Sequence, residues 1–256
     1  MKILIVGAGV VGMSTGRGFL RLGHDVTFYD ILDVKRSELR KQGYKVSDTL
    51  DFNADVIFIC TPESSVEEIV DQLTSHKVQG LKVIRSTVPL GTTRRLQTKS
   101  TYNHACHNPC FVREAVADYE FMNPHRIVIG SCCREHGDVL EDLYRPLRAP
   151  IIRTDPTTSE LIKLASNAYL ATQISFWNQL HLIAEKLDVN SHVVGKACAL
   201  DPRISEYGAS FHGQPFGGRC LPKDLESLCL VAMKLGVHTL LLDAVKEVNE
   251  NMKARK

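Results

Sequence analysis

The segment Gly7-Ala8-Gly9-Val10-Val11-Gly12 constrains this chain most. It follows a run of β-formers, Lys2–Val6, and opens a helical pattern, Val11–Leu22. In a strand-to-helix turn of this kind, the first glycine allows the tight turn. The second lets a phosphate approach the backbone, and the third lets helix and strand pack closely. A second β-rich run, Asp25–Tyr29, ends at Asp30, 18 residues beyond Gly12. A carboxylate there accepts the hydroxyls of an adenosine ribose. Its charge repels a 2′-phosphate, so the expected dinucleotide is NAD rather than NADP. Gly7, Gly9, Val10, Val11, Gly12 and Asp30 are the expected cofactor residues.

The rest of the first half repeats the pattern. Strands are predicted at Val56–Cys60, Lys82–Arg85, Arg126–Ile129 and Ile151–Arg153. Helices are predicted at Lys35–Gln42, Ser65–Leu73 and Glu135–Leu143. Alternation of this kind means a parallel, doubly wound, Rossmann-like sheet with helices on both faces. After Pro156 the character changes. Thr157 and Glu160 have capping-box spacing, and no Pro or Gly follows until beyond Lys186. One helix of about 28 residues, roughly 42 Å long, is expected. Helices at Ser191–Ala199, Leu221–Leu235 and Thr239–Lys253 follow. The predicted division is an α/β domain over residues 1–155 and an all-helical domain over 156–256.

Composition removes several classes of function. The formal net charge of +2 over 256 residues is too balanced for a chain held to nucleic acid or to a membrane by bulk charge. No apolar run is long enough to span a bilayer, and the N-terminus is too short in apolar residues for a secretory signal. The eight cysteines are scattered, as reduced cytoplasmic thiols are.

Among them Cys220 stands out, in Phe216-Gly217-Gly218-Arg219-Cys220-Leu221-Pro222-Lys223-Asp224. The glycines let backbone approach a ligand. A helix start at Cys220, with Arg219 and Lys223 beside it, favours the thiolate. The other reading of Cys220 is a small buried hydrophobe. On the long helix, Glu160, Lys163 and Asn167 share a face, and Lys163 with Asn167 can reach one substrate oxygen. A solvated helix face is the alternative there.

With these blocks assembled, the chain resembles the nucleotide-sugar dehydrogenases, the UDP-glucose and GDP-mannose 6-dehydrogenase family. The matching segments run in family order. They are Gly7–Gly12 with Asp30, Ser86–Thr92, Asn108–Glu114, Pro124–Gly130, Ser159–Ala168, Asp201–Ile204 and Phe216–Asp224. The resemblance implies oxidation of a sugar C6 alcohol to a carboxylate with two NAD in turn. Cys220 would form a thiohemiacetal and then a thioester. Lys163 and Asn167 would steady the oxyanion, and Asp224 and a water on Thr87 would move protons. Glu114 would sit by the nicotinamide or the substrate, and Thr61 and Thr87 would line the cofactor. Phe216, Gly217 and Gly218 would touch substrate. Arg203 would reach a neighbouring subunit's site, in a homodimer built on the long helix.

Two departures from the family pattern stand out. Cys110 occupies the place of a family glutamate that assists acyl transfer and hydrolysis. The family's third, C-terminal domain has no counterpart after Asp224. The substrate lacks a full nucleotide handle, another chain supplies that domain, or the sequence is a fragment. His104, Cys106, His107 and Cys110 form a compact run, but neighbouring residues of a strand point to opposite faces, so no metal is expected. Two competing readings stay in view. One is a two-electron β-hydroxyacid dehydrogenase, which lacks the cysteine loop. The other is a non-catalytic NAD-binding or redox-sensing protein.

Overall fold

The structure is a computed structural model and describes residues 1–50, 53–98 and 104–255. The strands are β1 (Lys2–Val6), β2 (Asp25–Tyr29), β3 (Lys45–Val46), β4 (Val56–Ile59), β5 (Leu81–Ile84), β6 (Ala105–His107), β7 (Ile127–Gly130) and β8 (Ile151–Thr154). The first helices are α1 (Val10–Arg21), α2 (Asp33–Lys41), α3 (Val66–Ser75), α4 (Thr92–Thr98), α5 (Ala117–Met122) and α6 (Arg134–Tyr144). The later ones are α7 (Pro156–Lys186), α8 (Ser191–Cys198), α9 (Glu206–Ser210), α10 (Cys220–Lys234) and α11 (Leu240–Ala254). Among the described residues, no helix is long and apolar enough to cross a membrane.

The chain divides into two compact units, Met1–Lys163 and a second that starts at Leu164, so the boundary falls inside α7. The first unit holds one sheet of order β3-β2-β1-β4-β5-β6-β7-β8. Its central strands are buried on both faces, as period-two side chains require. Ile3, Ile5, Phe28, Phe58 and Val83 join Phe19 of α1 and Leu140 of α6 on one side. Leu4, Val6, Ile57, Ile59 and Ile84 meet Val66, Val70 and Leu73 of α3 on the other.

The sheet is not wholly parallel, which corrects the expectation. β6 and β7 run antiparallel, with His107 opposite Gly130, and β8 is parallel to β7. The chain between β6 and β7 makes no crossover: it passes through α5, which packs on α1, and re-enters the sheet at the end it left. Asn108 fixes this junction by donating from Nδ2 to the Val128 carbonyl at 2.7 Å. The start of α7 is also corrected. Asp155, not Thr157, caps it, accepting from the Thr158 backbone N–H at 3.1 Å and from the Thr158 hydroxyl. Glu160 does not close a capping box. It is buried and accepts from the Gly91 and Thr93 N–H groups at 2.6 and 2.8 Å, at the N-terminus of α4.

The second unit is helical. Its core is Ala168, Ala171 and Ile174 of α7, with Phe216, Leu225, Cys229 and Val245. Phe216 is fixed by reciprocal bonds with Asn249, at 2.8 Å from its N–H and 3.1 Å to its carbonyl.

Candidate active site

The first unit brings together every expected residue of the dinucleotide loop. Gly7 has φ +95°, and a Cβ there would stand 2.8 Å from the Cys60 carbonyl oxygen. A Cβ at Gly12 would lie 1.8 Å from the Gly7 carbonyl oxygen, so α1 and the turn close only on glycine. Gly9 is different: nothing lies within 4 Å of its Cβ position, and the open side is where a ligand approaches. Gly9 starts α1, no side chain caps that helix and no acidic residue stands in its first turn. The N–H groups of Val10, Val11 and Gly12 thus form the positive end of a helix dipole.

Asp30 closes the turn. Its Oδ2 accepts from the Ala8 N–H at 2.8 Å and its Oδ1 from the Leu32 N–H at 3.0 Å. Arg36 donates to the Asp30 carbonyl at 2.5 Å and is ion-paired with Asp33 and Asp48. Its charge is thereby engaged rather than offered to a 2′-phosphate. At the end of β4, the Thr61 hydroxyl oxygen is buried and has no hydrogen-bond partner. The Thr61 carbonyl accepts from Ser86 Oγ at 2.5 Å, which holds the segment bearing Thr87 beside it. A glycine cradle, an uncapped helix start, a carboxylate and an orphaned hydroxyl fit an adenine dinucleotide. Glu114 is exposed and borders the same groove as Gly9 and Val10, with Ala117 and Tyr119.

The Asn108–Glu114 block is anchored on a buried cation. The Arg85 guanidinium binds Asn108 Oδ1 and donates to the Tyr144 hydroxyl at 2.6 Å. The Cys110 thiol bonds the same guanidinium. Cys110 is therefore sunk in the unit against Arg85. His107 is buried and shares a 2.8 Å bond between Nδ1 and Ser159 Oγ. Burial, with the charges of Lys163 and Arg85 nearby, holds its imidazole down to about 3. Lys163 Nζ stands 5.3 Å from the Phe111 ring centre, and Arg126 lies over the same ring at 4.2 Å. Arg85, Tyr144 and Phe111 were not assigned roles from sequence. A lone arginine or tyrosine carries no sequence signal of burial, and Phe111 lies inside a block already quoted.

The second unit gathers the remaining chemistry. Cys220 is the first residue of α10, exposed, just after Gly218, whose φ is +73°. Asp224 lies one helical turn on, on the same face, and is completely buried. Asn167 donates from Nδ2 to Asp224 Oδ2 at 2.6 Å, and Lys223 pairs with Asp224 Oδ1 at 2.8 Å. Gly217 has open space where a Cβ would be. Arg203 is not drawn to this group. It lies exposed in the Asp201–Ile204 turn, paired with its own Asp201 at 2.5 Å.

Comparison with known proteins agrees with both halves. Residues 46–148 match the NAD binding domain of the UDP-glucose/GDP-mannose dehydrogenase family, and residues 157–251 its central domain. Residues 2–89 also match the F420-dependent NADP oxidoreductase family. The chain is 34% identical to UDP-glucose 6-dehydrogenase YwqF of Bacillus subtilis, over 99% of this chain and 67% of that protein. It is 34% identical to UDP-glucose 6-dehydrogenase of Rickettsia conorii, over 98% and 67%. For UDP-glucose 6-dehydrogenase TuaD of Bacillus subtilis the figures are 32% identity, 98% and 63%. The chain thus spans about two thirds of these relatives. A UDP-glucose dehydrogenase structure from Pyrobaculum islandicum superposes with a TM-score of 0.92 at 29% identity, covering 98% of this chain and 68% of that one. A 3-hydroxyisobutyrate dehydrogenase from Mycobacterium tuberculosis shares the fold alone, with a TM-score of 0.81 at 16% identity, over 99% of this chain and 94% of that one. With cradle, cysteine loop and matched domains in agreement, this chain belongs to the UDP-glucose/GDP-mannose dehydrogenase family.

Proposed function

We propose that the protein oxidises the C6 primary alcohol of a nucleotide sugar, UDP-glucose-like, to a carboxylate. The observation that carries this reading is the exposed Cys220 thiol at a helix start, one turn before the buried Asp224–Asn167 pair. A two-electron hydroxyacid dehydrogenase has no use for such a thiol, and a non-catalytic protein has no use for the pair behind it.

Bound NAD would supply the hydride acceptor for each of the two oxidations, four electrons in all. The protein supplies the remaining chemistry. Asp224 and a water held by Thr87 take the alcohol proton. Lys163 and Asn167 stabilise the developing oxyanion. The Cys220 thiolate adds to the aldehyde carbon, forming a C–S bond, and the oxyanion takes up a proton as the thiohemiacetal. The second oxidation leaves a thioester. Water adds to its carbonyl, the C–S bond breaks, and Cys220 recovers its thiol as the acid departs. Glu114, which borders the dinucleotide groove, is assigned the orientation of that water. Phe216, Gly217 and Gly218 shape the substrate side of the cysteine loop. The eight free thiols suit the cytoplasm.

The reading includes a homodimer through α7. Tyr169, Phe176 and Ile183 of that helix are 63%, 60% and 50% exposed and recur at seven-residue spacing, an apolar stripe facing outward. Arg203 is then the residue offered to the neighbouring subunit. A thermal-shift screen tests the reading. NAD and one nucleotide sugar among UDP-glucose, GDP-mannose and UDP-N-acetylmannosamine should each raise the melting temperature. A protein whose melting point none of them moves would contradict it.

A further inference from the structure

A second cluster of thiols and imidazoles lies at the edge of the sheet opposite the dinucleotide loop. The C-terminal ends of β1, β4 and β5 carry Gly7, Thr61 and Thr87, and β6 runs parallel to β5. The N-terminal end of β6 therefore faces away from them. Because β7 is antiparallel to β6, the chain leaving β7 passes that end. It brings Cys132, Cys133 and the first turn of α6 up to His104.

One donor atom from each of His104, Cys132 and His136 lies within 4.8 Å of the others. Ligands of a tetrahedral zinc ion stand about 3.3–3.8 Å apart, given Zn–N near 2.0 Å and Zn–S near 2.3 Å. Small rotamer changes close the difference. The two imidazole rings are 4.6 Å apart at 49°, so they cant toward a common point rather than stack. Cys132 Sγ and Cys133 Sγ each lie 3.0 Å from His136 Nδ1. A thiol proton shared with an imidazole is the arrangement a metal replaces when it binds. Cys106, fully buried behind them, is hydrogen-bonded to Cys132. His104 and Cys132 are exposed, which leaves a path for the ion.

We propose that His104, Cys132 and His136 bind one zinc ion. The fourth position is open to solvent, with Cys133 and Cys106 beside it. Mixed thiolate and imidazole donors select zinc over hard cations, and binding releases the Cys132 proton to solvent. The ion ties the start of β6 to the β7–α6 turn, the place where the sheet reverses direction. The contiguous run His104-x-Cys106-His107 does not form this site. His107 is turned to Ser159 and Cys110 to Arg85, so only His104 of that run is a ligand. The partners come from about 30 residues later, across a strand pair invisible in sequence spacing.

The test uses the full chain, stripped of metal and kept reduced. Zinc is titrated in competition with a chromophoric chelator, and cobalt is substituted to read thiolate–metal charge transfer. We expect one zinc per chain and a cobalt–thiolate band. Cys132→Ser and His136→Ala should each weaken zinc by more than about 100-fold, with His104→Ala as a second, exposed probe. Cys198→Ser should leave affinity unchanged, and NAD affinity should be the same in all variants. The proposal is overturned by absence of stoichiometric zinc, or by affinity that survives both Cys132→Ser and His136→Ala.

Discussion

At the scale of the residue, Asp30 and Cys110 make the sharpest claims. Asp30 presents its carboxylate in the turn that holds the cofactor, and Arg36 is engaged by Asp33 and Asp48. NAD should therefore bind well ahead of NADP, and Asp30→Ala should narrow the gap. Equal affinity for the two in the unmutated protein would count against this. Cys110 is bonded to a buried guanidinium instead of supplying the family's carboxylate. In the proposed mechanism thioester hydrolysis relies on Glu114, and turnover should show a burst of NADH with a covalent adduct on Cys220 by intact mass. Cys110→Glu should shorten the burst and raise the steady rate. A wild-type enzyme with neither burst nor adduct would show that hydrolysis already has its base. His107 gives a pH dependence. Its pKa is lowered from 6.5 to about 3 in the fold, so it is neutral there. The stability it contributes is complete above pH 6.5 and is lost as pH falls from there toward 3. The slope in that window is up to about 1.4 kcal/mol per pH unit. Urea midpoints at pH 7 and pH 5 should converge in His107→Asn relative to wild type.

At the scale of the element, the glycine loop, α1 and most of the inner strands follow from the sequence to within a residue or two. Both signals are local: glycine where a Cβ would strike carbonyl oxygen, and apolar runs buried on both faces. What was not legible depends on partners far along the chain. β3 is two residues long and β6 three, too short to show a period. The reversal at β7 comes from the packing of α5, which no window of sequence reports. Glu160 looked like a helix-start residue, yet its carboxylate serves Gly91 and Thr93 nearly seventy residues away. Glu160→Ala should leave those two N–H groups unpaired and cost about 2–4 kcal/mol. Little change in the unfolding midpoint would show that water replaces the carboxylate. The cysteine loop was legible because its residues are contiguous. The Asn167–Asp224 bond was not, since it joins two helices 57 positions apart.

At the scale of the whole molecule, the first unit holds a dinucleotide cradle and the second a thiol with its buried acid–amide pair. Each unit has its own core, and the functional reading needs the chemistry of both. The exposed α7 stripe predicts a dimer, which light scattering would show, and Phe176→Glu should shift it toward monomer. The central claim is that an alcohol is carried through to an acid on Cys220. The most direct measurement is the ratio of NADH formed to carboxylate released with the nucleotide sugar that the thermal screen selects. The wild type should form two NADH per acid, and Cys220→Ser should lose the acid. One NADH per product, or undiminished acid from Cys220→Ser, would contradict that claim.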